Sequence, residues 1–595
     1  MSIYDYIVIG VYLVFMLSLG PIYKSFSKTA SDFFRGGGRM LWWVVGSSAF
    51  MTTFSAWSFT GGAAKAYETG TFFLILFGCN IIALIICFLF TAAKFRQMRV
   101  VTAVEGIRKR YGAASEQVYT WLPLFFQTLM GGVMLYTISV FMSGVFNLPM
   151  GPIIIVLGIV VISMTLVGGS WAATAGDFVQ MLVVLTITII MAVLTLGHQK
   201  VGGFSGLLAN VPDYHFQWTD FARPWVIILF AVTLMINQIT MMNSMLTGAA
   251  RYLFVKDGKD AKKAVLVSIA GFVLLAPIWM IPAMGSAIIF PELGSLYPQL
   301  NNPNEAAYVA IAMELLPQGL LGLLVCGIFA ASLTSMNSLL NVYSGTFVRN
   351  FYIRMVDKEA SETKQIFVGR VFILIYGLIW MFVALLFKDI KSLQLFDLIL
   401  LMTASIGLPT ALPLTYGMFI KKTPEWTGWS TMVVGFIMSI IAKISFTEEL
   451  LQGLWGQEAL LTVREVGDLK IALTTGSIFL VCNIWFFASM RFYKNSKPEY
   501  RKRVDDFFEE LHTPIDRSKE HEPDYEGDKR QYRVLSNLCL AYGSLTLLLL
   551  AVPNSMKERL LVLVCGGFVV LVGMILRTIA KKQKKGFRNE EADRS

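Results

Sequence analysis

Residues 47–62 read SSAFMTTFSAWSFTGG, the polar middle of a stretch (42–66) that is otherwise apolar enough to cross a membrane. Seven of its sixteen residues are Ser or Thr, and a Gly-Gly pair closes it. With no water in the bilayer core, backbone leaves helical geometry only where protein or a wet cavity satisfies it. The run therefore predicts a broken helix lining a cavity. A second stretch of the same kind, LMINQITMMNSMLTGAAR (234–251), sets Asn237, Gln238, Thr240, Asn243 and Ser244 in mid-membrane. Either stretch alone reads first as polar glue between helices; the pair, at matched positions, reads as transport.

The rest of the chain supplies the frame. Of its 595 residues 55% are hydrophobic and only 15% charged, with a mean hydropathy of +0.63; soluble domains carry about a quarter charged residues. About 20 residues cross a 30 Å core. Fifteen apolar stretches reach that length, near 3–20, 42–66, 69–92, 118–146, 151–168, 174–196, 223–249, 264–289, 318–347, 366–387, 393–418, 429–446, 470–490, 534–551 and 558–577. With the first set aside, the two interrupted stretches become the first and sixth of the remainder. Interrupted helices five apart point to an inverted-repeat transporter with its site at the midplane. The expected fold is an all-α polytopic membrane protein with a five-plus-five inverted-repeat core. Core helices 1 and 6 are broken, one extra helix precedes the core and about four follow it.

This divides the chain into an N-terminal span and loop (1–40), a first repeat (41–205), a second repeat (206–420), two further spans (421–490), a cytoplasmic linker (491–533), and two last spans with a basic tail (534–595). With the N-terminus outside and the C-terminus cytoplasmic, 40 of the 50 Lys and Arg fall on the cytoplasmic side and 9 on the outer side, with Lys443 inside a span. That asymmetry is the positive-inside pattern. It assigns the net charge of +11 to topology in a plasma (inner) membrane and makes a nucleic-acid partner unnecessary. The first span lacks a basic leader and a small-residue cleavage site, so it is read as a retained helix. The six cysteines all lie in spans and read as packing residues. The linker reads as a solvated connector with one short amphipathic helix (VDDFFEEL), and the tail as a basic segment drawn to anionic lipid.

Chemistry concentrates on a few residues. In GIFAASLTSMNSLLNVYSGTFVRNFY (327–352), Ala331, Thr334 and Ser335 stand at i, i+3 and i+4 and share one helical face. Two hydroxyls and an approachable carbonyl suit a hard cation such as Na⁺. Unwinding at 47–62 would add the carbonyls of Met51 and Phe54. Asp177, in GGSWAATAGDFVQ, is an acid at membrane depth and marks an ion path, or else caps a helix at the interface. Asp397 reads as a first-turn carboxylate complementing a helix dipole. The four histidines lie in loops without metal-ligand spacing, and the spans hold no nucleophile–base pair, which argues against an enzyme. A filter-like glycine motif, the mark of a channel, is missing, and the short basic tail leaves no appended signalling domain.

Four motifs together resemble the sodium:solute symporter family, which includes sodium/glucose, sodium/proline and sodium/sialic acid symporters. They are TASDFFRGGGRMLWWVVGSS (29–48), SAFMTTFSAWSFTGG with Ser55 and Trp57, GGSWAATAGDFVQ (168–180), and AASLTSMNSLLN (330–341) followed by Asn-x-Tyr; Leu408-Pro409 extends the match. The resemblance implies a sodium site made by Met51, Phe54, Ala331, Thr334 and Ser335. It also implies a second sodium site, or an ion exit path, at Asp177, Asn337 and Ser338, where such members have two serines in place of Asn337 and Ser338. Gly176 replaces the family threonine before the aspartate. The solute side is inferred to hold Thr53, Trp57, Ser58, Asn237, Gln238, Met241 and Asn243. An indole face among hydroxyls and amides suits a sugar or similar neutral solute; a zwitterion meeting a half-helix N-terminus fits as well. The function implied is Na⁺-coupled uptake of a small polar solute across the bilayer, by a monomer or an oligomer. A proton-coupled variant of the same fold, or an amino-acid or organic-acid symporter, remains open at this point.

Overall fold

The polar run breaks its helix within one residue of its centre. Trp42–Thr53 is helical, Phe54 leaves the helical region at φ −104°, ψ 75°, and helix resumes through a wide π-helical turn at Ser58–Gly62. The computed structural model describes residues 1–23, 38–220, 222–390, 394–453, 460–516 and 525–594; within these, the side chains of 13, 16–23, 53, 167–173, 250, 525 and 583–594 lie outside the description. Residues 29–37 of the first motif, and the side chain of Thr53, therefore fall outside it.

The principal helices in the first part of the chain are α1 (Ile3–Tyr23), α2 (Trp42–Thr53), α3 (Ala63–Thr69), α4 (Leu74–Ile86), α5 (Ala92–Gln97), α6 (Ala103–Phe146) and α7 (Met150–Gly197). They are followed by α8 (Pro224–Met242), α9 (Ala249–Tyr252), α10 (Gly258–Ile289), α11 (Leu320–Phe347), α12 (Glu362–Phe387), α13 (Leu395–Met402) and α14 (Leu408–Tyr416). The last five are α15 (Thr427–Ser445), α16 (Val463–Ser489), α17 (Pro498–His512), α18 (Tyr525–Leu547) and α19 (Met556–Arg594). Twelve helices among the described residues are long and apolar enough to cross a membrane. One of them, Ser58–Gln97, holds the expected span 69–92 and the second half of 42–66, and shorter apolar helices at Ile3–Tyr12 and Met150–Leu166 fall in two more. The fold is the expected all-helical, inverted-repeat one, with α2 and α3 as the halves of core helix 1.

Core helix 6 breaks as well. α8 ends at Met242, and residues 243–248 are irregular before α9 begins. Side chains satisfy the backbone around the break: Thr415 Oγ1 donates to Thr240 O (2.9 Å), and Asn243 Nδ2 donates to Ile239 O (2.9 Å) and, on α4, to Ala83 O (3.2 Å). Such bonds let non-helical backbone persist at this depth. α3 ends at Gly70, whose φ of +57° is in the region that favours glycine, and a Cβ there would lie 2.3 Å from His215 Cβ.

The centre of the molecule is α11. Every residue from Leu320 to Asn337 is buried, as a helix apolar on all sides requires. Its start is capped from outside the core: the Asp5 carboxylate of α1 accepts from the backbone N–H groups of Gly319 (2.8 Å) and Gly322 (3.0 Å). Charge-assisted bonds of this kind contribute about 1.5–3 kcal/mol. The extra N-terminal helix is thus fastened to the core by a named contact.

The 491–533 stretch differs from the solvated connector expected. Its helix runs from Pro498 to His512, beyond VDDFFEEL, and buries Tyr500, Val504, Phe507 and Leu511, the i, i+4, i+7, i+11 face. That face docks where α6 begins. Arg110, itself buried, donates to Gly417 O (3.0 Å), Ile420 O (2.8 Å), Thr423 Oγ1 (2.6 Å) and Tyr500 Oη (2.8 Å). A guanidinium satisfying carbonyls past the end of α14 complements that helix's negative terminus. Lys421–Asp505 (2.5 Å) and Arg503–Glu425 (2.9 Å) flank the contact.

Candidate ion and solute site

The Ala331 face forms as the spacing predicts. Thr334 Oγ1 and Ser335 Oγ both donate to the Ala331 carbonyl, at 3.2 and 2.9 Å. Met51 and Phe54 are buried at the break in core helix 1. The break is tied to this face by the Ala56 N–H, which donates to Ser332 Oγ at 3.0 Å. Asp177 on α7 is fully buried, and two hydroxyls donate to it: Ser48 of α2 and Thr334 of α11. Gln180 Oε1 lies 3.4 Å from Thr334 Oγ1. Three helices thus bring a carboxylate, hydroxyls and the Ala331 carbonyl to one place beside a helix break. All are hard oxygen donors, and the chemistry of the set fits Na⁺.

Asn337 and Ser338 stand a turn further along α11. The Asn337 side-chain carbonyl accepts from Asn341 Nδ2 (2.7 Å), and the Ser338 hydroxyl is buried with no hydrogen-bond partner. The contacts of Asp177 run to Ser48, Thr334 and a residue the sequence left unassigned, Arg251 of α9, whose Nη1 is 3.9 Å away. Arg251 Nη2 also donates to Thr52 Oγ1 (2.8 Å), which donates in turn to Ser48 O (2.8 Å).

On the solute side the expected residues divide. Trp57 stacks on Phe396 (ring centroids 5.9 Å, planes 17° apart) and lies tilted against Phe73 (6.2 Å). Its indole Nε1 is buried without a partner, as is Asn237 Oδ1, while Asn237 Nδ2 donates to Thr403 Oγ1 at 3.3 Å. One free donor and one free acceptor are what a polar solute needs. Ser58 is buried in the π-helical turn, Gln238 is half-buried, and Met241 packs on Gly407. Asn243 faces elsewhere: its oxygen accepts from Thr91 Oγ1 (2.6 Å), so both ends of its amide serve the break. Asp397 turns away from this layer toward α16, with Arg464 Nη1 at 3.7 Å.

The residues the sequence reading passed over each carried a faint signal. Ser48 was one hydroxyl among seven. Gln180 closes the GGSWAATAGDFVQ motif, and Arg251 closes the second broken stretch, where it reads as one more topology charge.

Residues 33–435 match the model of the sodium:solute symporter family. A sodium/sialic acid symporter of Proteus mirabilis (strain HI4320) is 26% identical over 452 residues, 74% of this chain and 89% of that protein. Sodium/glucose cotransporter 1 of Ovis aries is 24% identical over 494 residues, 74% and 72% of the two chains. Among solved structures, a substrate-bound outward-open state of a Na⁺-coupled sialic acid symporter superposes with a TM-score of 0.61 at 22% identity, over 80% of this chain and 98% of that one.

Proposed function

The chain belongs to the sodium:solute symporter family of multi-span, sodium-coupled membrane transporters, and we propose that it drives uptake of a small polar solute of the sugar or polyol kind. Na⁺ is held by the carbonyls of Met51, Phe54 and Ala331 and the hydroxyls of Thr334 and Ser335. Asp177, to which Ser48 donates, serves with Asn337 and Ser338 a second ion or the ion's exit. The solute lies against Trp57 and Ser58 and meets Asn237 and Gln238, with Met241 closing one wall and Asn243 holding the break. The linker side faces the cytoplasm, in keeping with its Lys and Arg excess.

One observation carries the reading: hydroxyls from α2 and α11 converge on the buried Asp177 beside a broken helix. An intramembrane acid so placed marks an ion path. Because α2 and α11 belong to different repeats, an ion bound between them favours one arrangement of the repeats over another, which is how a ligand shifts a conformational equilibrium. Each Na⁺ entering an inside-negative compartment contributes about 2.3 kcal/mol per 100 mV. Hydroxyl-rich solutes in the names of related proteins, and the unpartnered indole donor of Trp57, support the sugar or polyol reading.

The test is uptake into proteoliposomes from a panel of labelled sugars, polyols, amino acids and organic acids, with Na⁺ or choline outside. Uptake of one sugar or polyol that disappears in choline is the expected result. Uptake indifferent to Na⁺ but driven by a pH gradient would overturn the coupling assignment.

A further inference from the structure

Eight residues beyond Trp57 on core helix 1, Lys65 is 2% exposed and its ammonium has no hydrogen-bond partner. Trp57, Gly61 and Lys65 follow at i, i+4 and i+8 and share one face of the helix, with Lys65 about 12 Å further along the axis. Nζ stands 5.0 Å over the ring of Phe396, the ring on which Trp57 stacks. Gly61 keeps the space between them open, since a Cβ there would come within 3.1 Å of Trp57 Nε1. Lys65 lines a small cavity with Gly61, Glu68, Glu305, Gln394 and Phe396.

The acids of that cavity are engaged elsewhere. Glu68 Oε1 accepts from Asn304 Nδ2 (2.8 Å), and Glu305 Oε1 accepts from the Leu395 N–H (3.0 Å) at the start of α13. Burial pushes the Glu305 carboxyl up to about 8, so at neutral pH it is mostly uncharged. A buried ammonium without a paired anion is costly, and a cation–π contact recovers only part of that cost. The Lys65 ammonium therefore has no anion in contact with it, on the solute face of helix 1, just past the aromatic layer.

We propose that Lys65 is the charge-selecting residue of the solute site: the transported solute carries a carboxylate, which meets the Lys65 ammonium while its hydroxyl-bearing body lies against Trp57. The solute class is then a sugar acid or a similar hydroxylated carboxylate. This rests on the sodium-coupled transporter reading above and adds a carboxylate to the hydroxyl-bearing solute proposed there.

The test uses the purified full chain in detergent with sodium methanesulfonate, reading melting temperature against paired solutes: glucuronate with glucose, and sialic acid with its methyl ester. The expected result is that the acid of at least one pair raises the melting temperature at concentrations tenfold or more below those its neutral partner needs. Lys65→Met erases that preference and Lys65→Arg keeps it; Lys65→Gln replaces the Met variant should that one not fold. Equal shifts from acid and neutral partner, a preference that survives in Lys65→Met, or no response to either acid would each overturn the assignment. So would a shift produced by chloride alone, which would make Lys65 a site for a free anion. Na⁺-driven uptake of glucose by a wild type that ignores both acids would sink this inference while leaving the sodium-coupled reading intact.

Discussion

The guanidinium of Arg251 stands 3.9 Å from the buried carboxylate of Asp177, and it arrives from the helical turn just beyond the second helix break. That buried acid therefore has a cation supplied by the protein within reach. Removing one partner of a buried pair leaves the other charge uncompensated, at a cost of about 3–5 kcal/mol. In Arg251→Gln, bound Na⁺ is the remaining source of compensation. The melting temperature of that variant should depend on NaCl, relative to choline chloride, more steeply than that of wild type. Parallel salt responses would mean that Asp177 and Na⁺ do not share a site.

Thr334 touches Asp177 as well as the Ala331 carbonyl, whereas Ser335 bonds the carbonyl alone. Thr334→Ala should raise the Na⁺ concentration for half-maximal uptake at least tenfold, and Ser335→Ala severalfold, with expression intact. Unchanged Na⁺ dependence in both would reduce the face to packing.

Trp57→Phe keeps a ring to stack on Phe396 and deletes the unpartnered indole donor. Losing one hydrogen bond to the solute, about 0.5–1.5 kcal/mol, should raise the KM for solute by about two- to tenfold. The Na⁺ requirement should stay where it was; a defect confined to Na⁺ would place Trp57 outside the solute pocket.

Asp5→Ala removes both caps at the start of α11. A loss of about 1–3 kcal/mol follows from leaving those buried donors unmet, seen as a lower melting temperature in detergent. An unaltered melting curve would show that α1 is not coupled to the core's stability.

Glu305 gives a pH signature. Its folded carboxyl titrates near 8 because of burial, against an ordinary value of 4.5. Between those values the folded chain keeps a proton that the unfolded chain releases. Stability contributed through this group is therefore fully present below about 4.5 and lost as pH rises toward 8. Melting temperature should fall across that window, and Glu305→Gln should flatten the slope; identical slopes would remove Glu305 from the account.

Most of the architecture was legible because hydrocarbon imposes one rule on every span, and the violations stand out. SSAFMTTFSAWSFTGG and LMINQITMMNSMLTGAAR break where their hydroxyls and amides suggested. The face of Ala331, Thr334 and Ser335 followed from helical spacing alone. What escaped was long-range: that Ser48 reaches Asp177, that Arg251 folds back to it, and that Asn243 spends its amide on Thr91 and Ala83. Nothing in a window of sequence says which distant partner a polar side chain will find. The linker misled for a related reason. Its charges read as solvated, yet two of them, Arg503 and Asp505, pair with Glu425 and Lys421, and an apolar stripe settles on the body of the protein.

That docked linker helix has a mechanical consequence. Through Arg110, Tyr500 and Thr423 it braces the third core helix, from the first repeat, to the segment leaving the tenth, from the second. Two levers bolted to one strut swing together, so the pivot of the transport cycle has to lie elsewhere. A spin label on α17 would read as stationary relative to α14 and mobile relative to α2.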